Sequence, residues 1–387
     1  MKEVLFMLKK QCIAVVLCVA LMMSFCCVNV SALSEEEISS PSAVLIEPVT
    51  GKVLFEKNAH EQRACASITK VMTLLLIMEA IEQGVISYDD VVTTSEHAKS
   101  MGGSDIWLEV GEQMTVDEMI KATAVASAND AAVALAEHLC GTEDEFVNKM
   151  NERAKELKME NTVFKNCNGL DEEGHLTSAY DVALMSAELM KHEKIFEYTN
   201  IWIDTLRGGE TQIVNTNKLL KSYDGITGLK TGTTGDAGSC ISATATRNGL
   251  SLCAVVLGAT TGTERFKDAA TLLDFGFANY EMLSFNADDS SFSEISVKNG
   301  MKKTAQLECS GASDMVVAKG SSDKVEQSVS LQEFVEAPVK KGQKVGTLSF
   351  SLDGKNVATF DVVTTQAVEK ITFKAVLFEL FCALSAL

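Results

Sequence analysis

The chain has 387 residues, 46% of them hydrophobic and 22% charged, enough for two domains and a sizeable core. Its formal net charge of −19 excludes nucleic acid as a partner, because phosphate binding needs a basic patch. The cysteines lack zinc-ligand spacing, the five histidines form no H-E-x-x-H, and G-x-S-x-G does not occur, so neither a metal site, a Ser-His-Asp triad nor an α/β-hydrolase is expected.

In chain order, Lys9 and Lys10 precede the apolar run Ile13 to Phe25, and Val30-Ser31-Ala32 supplies small residues for cleavage. This is the pattern of a secretory signal over residues 1–32. A transmembrane helix is the rival, but the run is short for one. A lipoprotein signal would not place bulky Phe25 before Cys26. Cleavage removes Lys2, Lys9, Lys10 and Glu3 and takes the net charge from −19 to −21. Cys65, Cys140, Cys167, Cys240, Cys253, Cys309 and Cys382 remain. Export permits disulfides, yet the odd count and scattered spacings argue for thiols. Cys140, Cys240 and Cys253 sit inside apolar patterns and are expected to be buried and free.

Ala43 to Glu47 and Lys52 to Glu56 are expected strands around Pro48 to Gly51. Helices are expected at about 69–83, 115–124, 131–139, 143–157 and 179–191. Thr115 and Glu118 form a capping box, and Asp130 is the expected N-cap of the third helix. Ser239 to Arg247 and Leu250 to Leu257 flank Asn248-Gly249, a strong hairpin signal. Thr263 to Asn279 is a final helix packing on the sheet. Beyond Tyr280 short β-type runs follow: Phe292 to Val297, Thr304 to Cys309, Asp314 to Val317, Val325 to Leu331, Lys344 to Leu352 and Asn356 to Val363. They predict a small β-sandwich, a spacer or assembly platform of open role. The segment from Val368 to Leu387 is rich in Phe, Leu and Val. It reads as an amphipathic helix on a membrane face, an inserted anchor, or a helix docked on the β domain.

Three short motifs stand in order: Ser67-Ile68-Thr69-Lys70, Ser127-Ala128-Asn129 and Lys230-Thr231-Gly232. Residues three apart on a helix share a face, so Lys70 reaches the Ser67 hydroxyl. Ser67 opens the apolar run Thr69 to Ala80, and burial would lower the lysine pKa and make a neutral base of it. Ser127 and Asn129 lie in a link between two helices, which can project a hydroxyl and a carboxamide into a cleft. Lys230-Thr231-Gly232 ends an extended segment from Gly225 and offers a cation and a strand edge. The chain carries its own controls: Ser321-Ser322-Asp323-Lys324 repeats the first spacing in a polar stretch, read as a surface turn. Ser284-Phe285-Asn286 repeats the second outside any helix-loop-helix setting.

The motif trio is a signature of class A β-lactamases and penicillin-binding proteins. The chain resembles the low-molecular-weight penicillin-binding proteins, the serine-type D-alanyl-D-alanine carboxypeptidases. The likeness is carried by Ala66 to Thr73, Ser127 to Glu137, Asn168-Gly169-Leu170, Ser178 to Asp181, Asn215 to Leu220 and Gly228 to Thr234. It runs from about Ala43 to Tyr280 and more weakly onward. Cys167 stands where a proline or small residue is expected, and Thr233 where some members carry histidine.

The resemblance implies an α+β fold: a β-lactamase/DD-peptidase-like domain, with an antiparallel sheet flanked by helices and an inserted helical subdomain, then a small all-β domain. The site would lie in the cleft between sheet and helical subdomain. Its segments would be a signal over 1–32, the catalytic domain over 33–280, the β domain over 285–365 and a membrane-association segment over 366–387. Ser67 would be the acyl-ester nucleophile, Lys70 its general base, and Ser127 a proton relay assisted by Lys230. Asn129 would hold the substrate amide. Thr231 and Lys230, on the strand that includes Gly232, would bind the terminal carboxylate, with Arg265 adding to it. The N–H groups of Ser67 and Thr233 would form the oxyanion hole. Partners would be peptidoglycan stem peptides ending in D-Ala-D-Ala, β-lactam antibiotics and the outer face of the cytoplasmic membrane. No cofactor is implied. The competing functions are a class A-like β-lactamase, disfavoured because no E-x-x-L-N segment lies between Asn129 and Lys230, and a non-enzymatic penicillin- or wall-binding protein, which would have no need of Lys70.

Overall fold

The computed structural model describes residues 33–287, 292, 294–309, 311–374, 376–378 and 381. The expected signal segment and Cys382 lie outside them. Strands β1 (Ser42–Glu47), β2 (Lys52–Lys57), β3 (Ile226–Thr234), β4 (Gly238–Arg247) and β5 (Leu250–Ala259) form one sheet in the order β2-β1-β5-β4-β3. Every neighbouring pair is antiparallel. The β4–β5 turn places Asn248 at φ 51° and Gly249 at φ 80°, the left-handed pair that a two-residue hairpin turn demands. Side chains alternate across the strands. Cys240, Cys253, Val255 and Leu257 face the helical subdomain, while Ile241, Ala243, Ala254 and Val256 face a second core. Both faces of the central strands β1, β5 and β4 are therefore buried, while edge strand β2 is largely exposed. The Lys-Thr-Gly segment does not end a strand as expected. The ladder continues through Thr233↔Ser239 and Thr234↔Gly238, so the motif sits inside β3, the last strand on its side of the sheet.

Helix α1 (Lys70–Glu82) is buried from Lys70 to Met78 and at Ala80, as befits a helix apolar all round. Gly84 at φ +70° follows its end. Helix α2 (Val116–Lys121) carries the Thr115/Glu118 capping box, and residues Ala122–Ala126 widen into a π turn that ends at Ser127. The helix expected over 115–124 is thus two pieces. Helix α3 (Asn129–Cys140) begins earlier than expected, with Ala128 at the N-cap. Asp130 is inside its first turn because its carboxylate serves a loop instead, accepting from the backbone N–H groups of Ile106 and Leu108 at 3.0–3.2 Å. Cys140 ends that helix half-buried, contrary to expectation, because the last turn leaves the core; Cys240 and Cys253 are buried as expected. Helices α4 (Glu143–Glu156) and α5 (Ala179–Met190) complete the subdomain, capped by Thr142 and Ser178. Helix α6 (Gly262–Asn279), capped by Thr261, covers the opposite sheet face.

The chain then enters the β domain. Strand β6 (Tyr280–Asn286) pairs with β9 (Ala312–Ala318). A second sheet joins β7 (Glu294–Lys298), β8 (Thr304–Cys309), β10 (Val325–Leu331), β11 (Phe334–Glu336), β12 (Lys344–Leu352) and β13 (Lys355–Thr364). Phe285, Leu307, Val345, Leu348 and Val362 form its core. Val316 of β9 belongs to the core beneath α6, and Lys52 of β2 donates to the Val316 carbonyl at 2.9 Å, so the domains are joined. The decoy Ser322–Lys324 is a short 3-10 turn, and Ser284-Phe285-Asn286 lies on β6.

Candidate active site

Ser67 lies in a 3-10 turn, Ala66–Thr69, that feeds directly into α1. The turn puts Lys70 one step below the hydroxyl. Lys70 Nζ lies 2.9 Å from Ser67 Oγ, 2.5 Å from Asn129 Oδ1 and 2.6 Å from the Asn168 carbonyl. The carbonyl and carboxamide oxygens only accept. A neutral amine satisfies both with its two hydrogens and turns its lone pair to Ser67. Lys70 has no solvent exposure. Burial pushes its pKa down to about 7, against the pull of Cys167, Asp105 and Asp130.

Ser127 is left-handed at φ 62°, where the π turn meets α3. This kink swings its hydroxyl to Lys230 on β3, whose Nζ donates to Ser127 Oγ at 2.7 Å and to the Thr231 carbonyl at 2.9 Å. Lys230 is buried as well. Burial, then the charge that Lys70 carries when protonated and that of Arg265, holds its pKa well below the usual lysine value. Ser67 and Lys70 from one segment, Ser127 and Asn129 from the helical subdomain and Lys230 from the sheet therefore meet in one cleft.

Two glycines allow the parts to touch. A Cβ on Gly232 would lie 2.8 Å from both the Cys65 carbonyl oxygen and the Ser67 amide nitrogen, so β3 packs backbone to backbone against the nucleophile turn. A Cβ on Gly169, at φ +86°, would lie 2.0 Å from the Ala66 carbonyl oxygen. Thr73 Oγ1 holds that loop to α1 by donating to the Cys167 carbonyl at 2.5 Å.

The remaining expected residues are also here. Thr231 Oγ1 pairs with Thr216 Oγ1 at 2.6 Å. Arg265 is buried, and its Nη1 donates to the Gly232 carbonyl and to Thr233 Oγ1, each at 2.8 Å, and to the Cys240 carbonyl at 3.3 Å. Asn129 is bonded to Lys70. Its Oδ1 accepts from Lys70 and its Nδ2 donates to the Gly102 carbonyl at 2.6 Å, so the carboxamide orients the lysine. Reasoning from sequence missed the Asn168 carbonyl, Thr73, Thr216 and Gly169 as parts of the site. All four lie inside segments that carry the family likeness, Ala66 to Thr73, Asn168-Gly169-Leu170 and Asn215 to Leu220, but no motif gave them a role.

A serine beside a buried lysine, a second serine–lysine pair and a strand edge at the nucleophile define a serine acyl-transfer site of the penicillin-binding type. Residues 29–261 match the peptidase S11 family of D-alanyl-D-alanine carboxypeptidases, and residues 280–370 match the C-terminal domain of penicillin-binding protein 5. The chain is 46% identical over 344 residues to D-alanyl-D-alanine carboxypeptidase DacF of Bacillus subtilis, covering 88% of each. It is 33% identical to DacC of Escherichia coli over 350 residues, 87% of each. Penicillin-binding protein 5 from Haemophilus influenzae superposes with a TM-score of 0.72 at 30% identity, over 88% of this chain and 100% of that one. The chain belongs to the D-alanyl-D-alanine carboxypeptidase family.

Proposed function

We propose that the protein removes the terminal D-alanine from peptidoglycan stem peptides ending in D-Ala-D-Ala, through an acyl ester on Ser67, and that β-lactams acylate the same serine. One observation carries the reading: a fully buried Lys70 sits 2.9 Å from Ser67 Oγ with its other bonds made to fixed acceptors. The Listeria monocytogenes penicillin-binding protein D2, solved in an ampicillin-bound form, superposes with a TM-score of 0.57 at 33% identity, over 62% of this chain and 98% of that one. It supports the β-lactam half of the reading.

Ser67 Oγ attacks the carbonyl carbon of the penultimate D-alanine as the Lys70 lone pair takes the hydroxyl proton. The resulting oxyanion accepts from the Ser67 and Thr233 N–H groups, such donors being worth about 2.7–4 kcal/mol each. The terminal carboxylate faces Thr231, Lys230 and Arg265. As the C–N bond breaks, Ser127 gives its proton to the leaving amine. It is resupplied with the proton that Lys70 took from Ser67, a transfer assisted by Lys230, 2.7 Å from Ser127 Oγ, so that Lys70 is neutral again. D-Alanine departs, and the neutral Lys70 takes a proton from the water that attacks the ester and passes it to Ser67 Oγ as the acyl bond breaks.

The same reading makes residues 1–32 an export signal and assigns catalysis to 33–280. The β domain over 285–365 is a spacer or assembly platform, and residues 366–387 rest on the outer face of the cytoplasmic membrane. Exposed Ile371, Phe373, Leu377, Phe378 and Phe381 support interfacial contact. No described helix is long and apolar enough to cross a membrane. The test is release of free D-alanine from diacetyl-L-Lys-D-Ala-D-Ala. The wild type releases it and Ser67→Ala does not. Absent release with rapid penicillin turnover would make the protein a β-lactamase instead.

A further inference from the structure

His175 is buried beneath the nucleophile turn, 4% exposed, and takes no part in the chemistry above. Its two ring nitrogens have distinct tasks. Nδ1 accepts from the Lys165 backbone N–H at 3.2 Å. In a neutral imidazole this leaves the proton on Nε2. Nε2 lies 2.8 Å from Thr69 Oγ1 and therefore donates to it. The Thr69 hydroxyl, its lone pair engaged, donates its own proton to the Ala66 carbonyl at 2.9 Å. Burial holds the imidazole neutral, with its pKa pushed down to about 4. The relay runs in one direction, from the 165 backbone to Ala66.

Its end point matters because of what shares the Ala66 carbonyl. That oxygen and the Ser67 N–H belong to one peptide plane, and in a trans peptide they point in opposite directions. Holding the carbonyl fixes where the N–H points. The plane needs holding: Ala66 is left-handed at φ 50°, a conformation that non-glycine residues adopt at a cost. Gly169 backs the same carbonyl so closely that a methyl group would overlap it. We propose that His175 and Thr69 are positioning residues that aim the Ser67 N–H at the substrate oxyanion through the Ala66–Ser67 peptide plane. This rests on the proposed acyl-transfer reading. It adds a role for two side chains that touch neither substrate nor reacting atoms.

The test compares Thr69→Val, Thr69→Ser, His175→Phe and His175→Gln in the full chain. For each, kcat and KM for D-alanine release and the rate of penicillin acylation are normalised to titrated active sites. Thr69→Val and His175→Phe lower kcat and the acylation rate about tenfold or more, with KM within about threefold, as for loss of an oxyanion donor. Thr69→Ser keeps the hydroxyl and His175→Gln keeps a donor at the Nε2 position, and both recover most of the rate. The double variant Thr69→Val/His175→Phe is no slower than the worse single one, because both break one relay. Per-site rates that stay at the wild-type level while only Tm or the active fraction falls overturn the proposal. So does equal damage by the conservative and the disruptive variants. If His175→Phe does not fold, the isosteric Thr69→Val carries the test. If wild-type protein releases no D-alanine, the functional reading fails, and the penicillin acylation rates still decide the relay.

Discussion

The acylation rate of Ser67 should fall tenfold for each pH unit below about 7, the value to which burial lowers the Lys70 pKa. Only the neutral amine can take the serine proton, so the rate follows the neutral fraction: about half at pH 7, about a tenth at pH 6 and about a hundredth at pH 5. A lysine left at its ordinary 10.5 would be neutral in only about one molecule in three thousand at pH 7. The shift corresponds to about 5 kcal/mol of disfavoured charge. Because the unfolded chain binds this proton up to pH 10.5 and the folded one only to about 7, stability gains from this group as pH rises through that window. The assay is stopped-flow acylation by a fluorescent penicillin between pH 5 and 9, beside Lys70→Arg. Arginine cannot release a proton, and its loss of general-base action lowers the rate about 10²–10⁴-fold. A flat wild-type profile, or an active Lys70→Arg enzyme with the same limb, would refute the reasoning.

Other outcomes follow from particular contacts. Gly232→Ala drives a methyl group into the Cys65 carbonyl and the Ser67 amide. It lowers penicillin acylation at least about tenfold and stability by about 1–3 kcal/mol, read by kinetics and thermal melting. Asp130→Ala leaves the Ile106 and Leu108 N–H groups unpaired, at about 1–3 kcal/mol for each buried donor, which a urea titration measures. Removing residues 369–387 takes away exposed Phe373, Phe378 and Phe381. Binding to anionic liposomes falls with it in a flotation assay, and equal binding would contradict membrane contact.

Much of this arrangement was legible in the sequence because local rules and global packing agree. Asn248-Gly249 has the chemistry of a hairpin turn and forms one. The run from Thr69 to Ala80 is apolar on every side and is a buried helix. What escaped depends on partners far along the chain. Asp130 looks like an N-cap by its position, yet its carboxylate is claimed by amides more than twenty residues earlier. The π turn at Ala122–Ala126 leaves no mark in an alanine-rich stretch, although it is what turns Ser127 toward Lys230. Strand β6 follows α6 without a glycine or proline between them, and β11 is three residues long, so neither shows a pattern of its own. Asn168 acts through its backbone carbonyl, which no side-chain motif encodes.

The central claim is that Ser67 carries the acyl group. Rapid-quench mass spectrometry of the protein mixed with diacetyl-L-Lys-D-Ala-D-Ala tests it most directly. The account predicts a transient adduct equal to the peptide less one D-alanine, mapped to the segment containing Ser67 and missing in Ser67→Ala. D-Alanine release without such an adduct, or an adduct on another residue, would contradict it.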